Sequence, residues 1–537
     1  MSPIQNEIKS VNIVRILIVL LAPAIYVAAA FYLRSIAGPF WQWNLLDPAY
    51  FYLLDSLNVF AGRPPGHVAH PGVTVSTFGA VWLWFQSANL GTDAFVRQVL
   101  GSPEVYLDQL SSVYVLINAM ALSALGFVAF RVFGAVIPAL TCQLAPFMST
   151  ITIKHAILPK PEAMLVLVTM LMMTALVLSL RGPADGKLAV VFGLIAGFGV
   201  VTKITVAPIF LIPLFVLADR RAIAVYAVVS VAAMGVFFLP AAGELGTVVS
   251  WFVKVAKSAG AHGSGPDTIL DMSAYPAALA KVLKRPALKV PMALAFLTLL
   301  AAAWQAKRGE PCNLLELRCL AGILTAQVIH VLLVAKQPTA FYLIPSYMMS
   351  SLSLLLSVRL LWSFRPASWR IPVSGGVLAS LLVTGFAIGQ VGGMNRLAGH
   401  FAETSKHASA IDSRAFRHCS RMFIYSASAP VFALFLADRV TGFHHVDELA
   451  KLYPGENFWI DDWLDQSKYV LRDWHGPRKF KAIRSKAECL FIRGNRPNGV
   501  RTFLRRVAPD LAYETRCTTG GETVATVNVG CQGKVSE

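Results

Sequence analysis

Long runs of apolar residues alternate with short polar segments over the first 394 residues of the chain. A helix needs roughly 20 apolar residues to cross a bilayer, and shorter runs suffice where helices are broken or enclosed. The candidate runs lie near 13–32, 111–130, 134–152, 162–180, 187–201, 204–218, 222–240, 289–304, 313–334, 341–361 and 371–393. The pattern predicts an α-helical polytopic membrane protein with about 11 transmembrane helices. Residues 73–86, which include Trp82 and Trp84, are expected to lie along the membrane interface.

The pattern changes after residue 394, where strand-like and helix-like stretches alternate. RMFIYSA, ENFWIDDW and AECLFIRGN read as strands, APVFALFLADRV and PNGVRTFLRRVAPD as helices, and the last two strand-like stretches as a hairpin around Gly520-Gly521. We therefore expect a transmembrane domain, 1–394, with a first outer loop, 35–110, and a C-terminal extracytoplasmic α/β domain, 395–537.

Composition agrees with this division, since 56% of the residues are hydrophobic and 14% are charged. The net charge of +18 is spread over short connections between apolar runs, so it indicates membrane orientation and not nucleic-acid binding. Loops of one predicted side, including those at Arg131, Arg220-Arg221 and Lys307-Arg308, all carry lysine or arginine. This places the N-terminus inside and the C-terminal domain outside. A bacterial inner membrane with a periplasmic C-terminal domain is expected, because no eukaryotic targeting signal is seen.

With that orientation, the polar residues that helix packing does not require gather on the outer side of the membrane. Such a collection of carboxylates, imidazoles and cations suits a reaction between an anionic amphiphilic donor and a water-side acceptor. The candidate site residues are Asp47, Asp55, Arg63, His70, Lys160, Glu162, Lys203, Lys336 and Tyr342.

Several short motifs occur in this order: DPAYFYLL at 47–54, HPG at 70–72, KPEA at 160–163, TKIT at 202–205 and YLIP at 342–345. Together they resemble the GT-C glycosyltransferases, integral-membrane enzymes that use polyprenyl-phosphate sugars and include protein O-mannosyltransferases and aminoarabinose transferases. The resemblance covers roughly residues 13–393. It departs from the mannosyltransferase pattern in having HPG in place of HPP and a lone Asp47 in place of an adjacent acidic pair, which leaves the donor and the acceptor open.

Each acidic candidate has a structural interpretation beside the functional one. Asp47 before Pro48 is a common helix start, while the resemblance makes it the general base that takes the proton of the acceptor hydroxyl. Asp55, two helical turns further on, is the second choice for that base. Glu162 follows Pro161 in the first turn of a predicted helix, where the helix dipole favours an acid.

The basic candidates are assigned to the donor phosphate or the acceptor. Lys203 lies among apolar residues, where an unpaired cation is costly, and a donor phosphate would be a suitable partner. Lys160 is expected to contact the acceptor or phosphate, and Arg63 is either a phosphate contact or a solvated loop charge. His70 is a turn or substrate-binding residue. Lys336 and Tyr342 are either interfacial anchors or, as the resemblance implies, a clamp on the donor phosphate.

No cofactor is expected, and no ligand spacing indicates a metal ion, since His67 and His70 lack a third ligand at a recognised spacing. Three of the seven cysteines lie in or beside apolar runs, and the other four, Cys419, Cys489, Cys517 and Cys531, lie in the predicted outer domain. An even set in an oxidising compartment predicts disulfides. Cys517–Cys531 is the favoured pair, because the hairpin would bring these two residues together.

The sequence thus predicts an inverting glycosyltransferase that moves a sugar from a polyprenyl-phosphate donor to an acceptor hydroxyl of a lipid, glycan or protein. The main alternative is a transporter or flippase of a lipid-linked or polar substrate, which the short runs 187–201 and 204–218 would suit. A structural assembly protein whose activity lies in the outer domain is a third interpretation.

Overall fold

The computed structural model describes most of the chain. The described residues are 3–43, 48–69, 72–88, 90–365, 375–410, 416–424, 427–454, 457–461, 470–494, 497–519 and 522–529. Asp47 and His70 therefore lie outside the described residues.

Helices make up most of the described chain up to residue 410. In chain order they are α1 (Pro3–Ala37), α2 (Ala49–Phe60), α3 (Val73–Ser87), α4 (Thr92–Gly101), α5 (Pro103–Phe133), α6 (Val136–Gln143), α7 (Thr150–Ala156), α8 (Pro161–Ser179), α9 (Gly186–Thr202), α10 (Pro213–Val216), α11 (Arg220–Phe238), α12 (Leu245–Lys257), α13 (Tyr275–Leu283), α14 (Pro286–Lys307), α15 (Leu314–Ala335), α16 (Ile344–Ser363), α17 (Gly375–Gly389) and α18 (Val391–Ala410). Short 3₁₀ segments at Phe40–Trp43, Ala145–Met148, Ile204–Leu211, Leu239–Glu244, Ala261–Gly263 and Ala340–Leu343 join several of them.

Eight of the described helical segments are long and apolar enough to cross a membrane, so the chain is an α-helical polytopic membrane protein. They are Ile13–Ala37, Pro103–Phe133, Pro161–Ser179, Arg220–Lys257, Pro286–Lys307, Leu314–Ala335, Ala340–Ser363 and Gly375–Ala410. These match eight of the eleven predicted runs. The predicted runs 187–201 and 204–218 form the shorter apolar helical segments Gly186–Thr202 and Ile204–Val216.

The predicted run 134–152 does not form a continuous helix. It is divided into α6, a 3₁₀ segment that contains Pro146, and α7, which begins after Ser149. Proline lacks the N–H that would continue the α-helical ladder, and the Ser149 side chain accepts the Ile151 N–H, which caps a new helix. The expected number of eleven full spans is therefore not reproduced.

The chain divides into two compact units. The first comprises Met1–Leu33, Val68–Val75 and Ser111–Asn395, and the second comprises Arg34–His67, Ser76–Leu110 and Arg396–Glu537. Residues of the first outer loop thus group with the C-terminal segment, which the hydropathy pattern alone does not indicate.

Small residues allow close packing in the first unit. On α9, Gly193 and Gly197 face α11, and a β-carbon on Gly197 would lie 2.6 Å from the Met234 backbone nitrogen. This four-residue spacing of small residues is typical of membrane helices whose backbones approach closely. The α-helical geometry of α9 ends at Thr202, and the chain continues from Lys203 into the 3₁₀ segment Ile204–Leu211.

The second unit contains a seven-stranded sheet with the order β4-β3-β2-β1-β5-β7-β6. Its elements are β1 (Ser420–Ile424), α19 (Pro430–Val440), α20 (Val446–Leu452), β2 (Phe458–Asp461), β3 (Val470–Asp473), β4 (Gly476–Lys479), α21 (Phe480–Arg484), β5 (Leu490–Gly494), α22 (Pro497–Val507), β6 (Glu514–Thr519) and β7 (Glu522–Val527). The central strand β1 is parallel to β2 and β5, while β6 and β7 form the predicted antiparallel hairpin. The predicted strands and helices of this region are confirmed.

One face of the sheet packs against α21 and α22, where Met422, Ile492, Phe480, Phe503 and Leu504 form part of an apolar core. On the opposite face, the ring of Phe435 on α19 lies 6.1 Å from that of Phe458 on β2. Side chains along a strand alternate between faces, so Trp459 packs in the core with α21 and α22 while the adjacent Phe458 packs against α19.

A disulfide joins Cys419 and Cys489, the residues that directly precede β1 and β5. These neighbouring parallel strands pair Ser420 with Leu490, so the two cysteines are adjacent, with Cα atoms 4.7 Å apart. A disulfide in the C-terminal region was expected, but this pairing was not the favoured one. The favoured pair stays a prediction, because the Cys517 side chain and Cys531 lie outside the described residues.

Candidate functional site

The KPEA motif forms the beginning of α8 in the first unit. Lys160 has extended backbone geometry and precedes the helix, Pro161 takes the first helical position, and Glu162 lies in the first turn. Proline fits there because its missing N–H would have no partner within the helix. Glu162 is fully buried, so its carboxylate requires a strong partner.

Lys203 provides that partner. Its side chain extends from the point where α9 ends, and its Nζ lies 2.5 Å from Oε1 of Glu162. Lys203 is 3% exposed and Glu162 is 0% exposed, so the ion pair is almost completely removed from solvent. Charges inside such a low-dielectric environment attract each other strongly but cost much free energy to desolvate. The ion pair therefore holds two charges, each with a large cost of desolvation, at one buried position.

Two aromatic rings from the segment Ala340–Leu343 lie close to the same ammonium group. Nζ of Lys203 is 5.5 Å from the ring centroid of Phe341 and 5.2 Å from that of Tyr342. Both distances are within the range of cation–π attraction. The ring of His155, at the end of α7, lies 5.0 Å from that of Phe341. We call Lys203, Glu162, Phe341, Tyr342 and His155 the Lys203 site.

The surroundings of the Lys203 site are electropositive. Burial lowers the pKa of His155 and the nearby cations Lys160, Lys154 and Lys203 add to that effect, so that the pKa is about 3 despite the opposing effect of Glu162. Burial and the neighbouring Lys160 also lower the pKa of Lys154. The Lys203 site and the two neighbouring lysines thus combine three cations with one carboxylate and a neutral imidazole. Nδ1 of His155 is buried and has no hydrogen-bond partner among the described residues.

The end of the HPG motif and the residues after it form hydrogen bonds with Thr202, which directly precedes Lys203. The Gly72 N–H donates to the carbonyl of Thr202 at 3.2 Å, and the hydroxyls of Thr74 and Thr202 lie 2.7 Å apart. Gly72 has a φ of +69°, a conformation that favours glycine. The structure thus brings the end of HPG to the TKIT motif, whose Lys203 contacts KPEA through Glu162 and YLIP through Tyr342.

Lys336 has a different environment. Its ammonium group donates to the carbonyls of Val255 and Ala256, at 2.7 and 3.0 Å, near the end of α12. Lysine near a helix C-terminus satisfies carbonyls that lack helical partners. These contacts give Lys336 a capping function, and its role as a phosphate clamp stays a prediction.

Asp55 and Arg63 lie in the second unit, where they fix the loop after α2. The fully buried Asp55 accepts the N–H groups of Gly66 and His67 at 2.7 and 3.0 Å, one on each oxygen. The Arg63 guanidinium donates to the carbonyl of His444 at 3.1 Å. A β-carbon on Gly66 would lie 2.6 Å from the backbone of Thr441, so this loop also packs closely on the end of α19. Asp55 therefore acts as a clamp for the loop that leads to His70.

Asp55 should make the stability of the protein depend on pH. Burial raises its pKa from 3.8 to about 6, since His67 and the hydrogen bonds offset only part of the desolvation. A carboxyl with a raised folded-state pKa stabilises the fold below its unfolded pKa and loses this contribution as pH rises through the folded value. Relative to Asp55→Asn, the wild type should lose about 2 kcal/mol between pH 4 and pH 7. Melting temperatures of both proteins at several pH values test this; a difference that does not change with pH would contradict it.

Glu104, at the start of α5, was not singled out by its sequence context. Its carboxylate accepts the N–H groups of Phe40 and Trp41, at 2.7 and 3.0 Å, and the hydroxyl of Tyr50 at 2.6 Å. These residues flank the segment that contains Asp47 on both sides. Acidic residues are favoured in the first turn of any helix, so no sequence pattern indicated that Glu104 connects the segments before and after Asp47.

His155 and Phe341 were also missed as site residues. His155 belongs to KHAILPKPEA and Phe341 directly precedes Tyr342, so proximity to the chosen motifs was the available signal. Among the described residues, one group has the arrangement of metal ligands, namely His418, Cys419 and Cys489. The disulfide occupies both thiols, so this group does not form a metal site in the oxidised protein.

Comparison with known proteins gives a structural likeness. No protein-family model matches the chain, and no curated protein matches it. Two solved structures of ArnT from Cupriavidus metallidurans, one bound to undecaprenyl phosphate and one in the apo state, are similar with a TM-score of 0.49 and 13% identity. The first comparison covers 95% of this chain and 98% of the other, and the second covers 94% and 97%. At this level of similarity, function has to be inferred from the side chains.

Proposed function

We propose that this chain is a membrane glycosyltransferase of the GT-C type, which transfers a sugar from a polyprenyl-phosphate donor to an acceptor hydroxyl with inversion at the anomeric carbon. The supporting observation is the Lys203 site, a buried lysine among aromatic rings with further lysines close by. Lipid phosphates combine an anionic group with a long apolar chain, so they suit a cationic site enclosed by apolar helices. Undecaprenyl phosphate, bound in the first ArnT structure, is a lipid of this kind.

In the proposed reaction, the acceptor oxygen attacks the anomeric carbon while the bond between that carbon and the phosphate oxygen breaks. Asp47 takes the proton of the acceptor hydroxyl, and the bonding electrons leave with the polyprenyl phosphate. Lys203, supported by Lys160, offsets the negative charge that develops on the leaving phosphate. Tyr342 lies beside Lys203 and limits the positions that the phosphate can take.

The reaction is assigned to the outer face of a bacterial inner membrane, with the C-terminal domain in the periplasm. The Cys419–Cys489 disulfide supports this orientation, because structural disulfides persist in oxidising compartments. Acceptor identity is left to experiment, with lipid, glycan and protein as the three classes.

Purified protein in nanodiscs, supplied with a panel of polyprenyl-phosphate sugars, tests the proposal. We expect release of polyprenyl phosphate together with a glycosylated product, both measured by mass spectrometry. A transporter or flippase is the second candidate, because the break at Lys203 places a charged pair between apolar helices. Movement of an intact lipid-linked sugar across a vesicle membrane, without product, would favour that candidate.

Asp47→Asn should lower sugar transfer by roughly 10²-fold or more, because an amide cannot accept the proton of the acceptor hydroxyl. Asparagine has nearly the same size and shape as aspartate, so folding and donor binding should be nearly unchanged. The structure gives Pro48 as the N-cap residue of α2, so the expected capping role of Asp47 is not the reason. Turnover and donor affinity of the monodisperse variant are measured side by side. The matched control is Asp55→Asn, which should lower stability more than turnover, because Asp55 clamps two backbone N–H groups. Near wild-type turnover in Asp47→Asn would exclude Asp47 as the general base.

A further inference from the structure

The helical layer over one face of the C-terminal sheet carries a concentration of positive charge. Seven exposed lysine and arginine side chains lie on β4, α21, α22 and the segment after α21, and we call them the basic face: Arg478, Lys481, Arg484, Lys486, Arg501, Arg505 and Arg506. In the ranges 476–494 and 499–507, whose side chains are described, Glu488 is the one exposed carboxylate. The layer therefore has a strong excess of positive charge.

The packing of the two helices places these side chains on one surface. Val500, Phe503 and Leu504 of α22 and Phe480 and Ile483 of α21 enter the same apolar core. The rings of Phe480 and Phe503 lie 6.1 Å apart, so the two helices are neighbours. With their apolar sides against the sheet, the polar sides of both helices face outward together.

Ion pairs within the protein do not explain this charge. Arg506 lies 3.5 Å from Asp461, whereas the other six cations have no carboxylate partner among the described residues. Elsewhere in the same unit, Arg97 and Lys451 both pair with Glu448. Like charges held close together repel each other, so the basic face lowers the stability of the unit unless an anionic partner is present.

The same unit has an element suited to a lipid surface. On α3, Trp84 and Phe85 are 64% and 66% exposed, and Val81 is half exposed. Exposed tryptophan and phenylalanine are typical of helices that lie in the membrane interface. The unit is also joined covalently to a membrane-spanning segment, because the candidate span Gly375–Ala410 includes α18. The covalent connection therefore keeps this unit close to a membrane surface, which can supply an anionic partner.

We propose that the basic face binds the phosphodiester headgroups of anionic phospholipids and so holds the C-terminal domain on the membrane surface. This binding is separate from the donor site of the proposed reaction, because it requires clustered exposed cations and no buried lysine. Each cation near an anionic surface contributes roughly fivefold in binding, so Arg501 and Arg505 together contribute about 25-fold. The interaction weakens with salt, since exposed charges are screened within about 8 Å at physiological ionic strength.

Hydrogen exchange of the full chain in nanodiscs tests the proposal. Phosphatidylcholine discs are compared with discs in which a third of the lipid is phosphatidylglycerol. We expect slower exchange in peptides from α21 and α22 in the anionic discs, with the difference removed by 0.5 M NaCl. Equal exchange in both kinds of disc would overturn the proposal. Protection by added inorganic polyphosphate, without protection by the anionic discs, would also overturn it and indicate a soluble polyanion.

Two double variants separate the basic face from general charge effects. Arg501→Gln with Arg505→Gln should abolish the lipid-dependent protection of α21, while leaving the exchange of buried β1 and β5 unchanged. Lys406→Gln with Lys451→Gln removes the same charge from exposed positions of the same unit that lie outside the basic face. This control should keep the protection, and loss of protection in both variants would assign the effect to net charge alone and overturn the proposal.

Discussion

Replacing Lys203 with methionine is expected to destabilise the protein and to abolish donor binding. The substitution leaves the Glu162 carboxylate buried without the ammonium group that lies 2.5 Å from it. Breaking a buried ion pair by removing one partner costs about 3 to 5 kcal/mol, because the remaining charge stays desolvated. Thermal melting in detergent should show a decrease of several degrees, and sugar transfer should fall by at least roughly 10²-fold as phosphate stabilisation is lost.

Two further variants separate the effect of Lys203 on stability from its effect on phosphate binding. In the double variant Lys203→Met with Glu162→Gln, no buried charge is left unpaired, so most of the lost stability should return while activity does not. In Glu162→Gln, the lysine has lost its carboxylate. Undecaprenyl phosphate should therefore raise the melting temperature of this variant more than that of the wild type.

A matched control uses another ion pair of the first unit. Arg359 donates to Glu316 at 3.0 Å, and Glu316 is largely buried. Arg359→Met should lower the melting temperature but retain the stabilisation by undecaprenyl phosphate. If Lys203→Met and Arg359→Met respond equally to the lipid, Lys203 does not bind the phosphate, and the proposed role of the Lys203 site is wrong.

Removing the Cys419–Cys489 disulfide should have the second large effect, on the stability of the C-terminal region. The bond closes a loop over a sequence separation of 70 residues, and chain-entropy arguments give a contribution of about 4 kcal/mol for such a loop. Both cysteines are buried where β1 and β5 begin, so Cys419→Ser with Cys489→Ser should loosen the start of the two central strands. Limited proteolysis of the purified protein should then cut the region 416–529 faster than in the wild type.

The same bond reports the side of the membrane on which the domain folds. Thiol labelling of intact cells, followed by peptide mapping, should find Cys419 and Cys489 oxidised if the domain is periplasmic. The control is Cys319, which is buried and free in the first unit and should be labelled only after denaturation. Free thiols at both positions in freshly lysed cells would place the domain in a reducing compartment and contradict the proposed orientation.

The sequence alone determined the local elements of this protein. Eight apolar runs became membrane-length helices, and alternation of apolar and polar residues located the C-terminal strands, since both signals depend on the periodicity of nearby residues. The sequence also indicated that Lys203 requires an anionic partner, because a lysine among apolar residues is costly wherever the chain folds. Helix continuity was harder to predict, and the run 134–152 is interrupted at Pro146.

Tertiary structure decided which distant residues meet. Lys203 pairs with Glu162, 41 residues away, because a break after α9 and the start of α8 adjoin, and no local pattern records that arrangement. Asp55 became a clamp through N–H groups of a loop that only folding brings to it. The disulfide shows the same limit. The sequence favoured the pair Cys517–Cys531, because a predicted hairpin would bring these two residues together. Cys419 and Cys489 meet because two parallel strands, far apart along the chain, pair side by side.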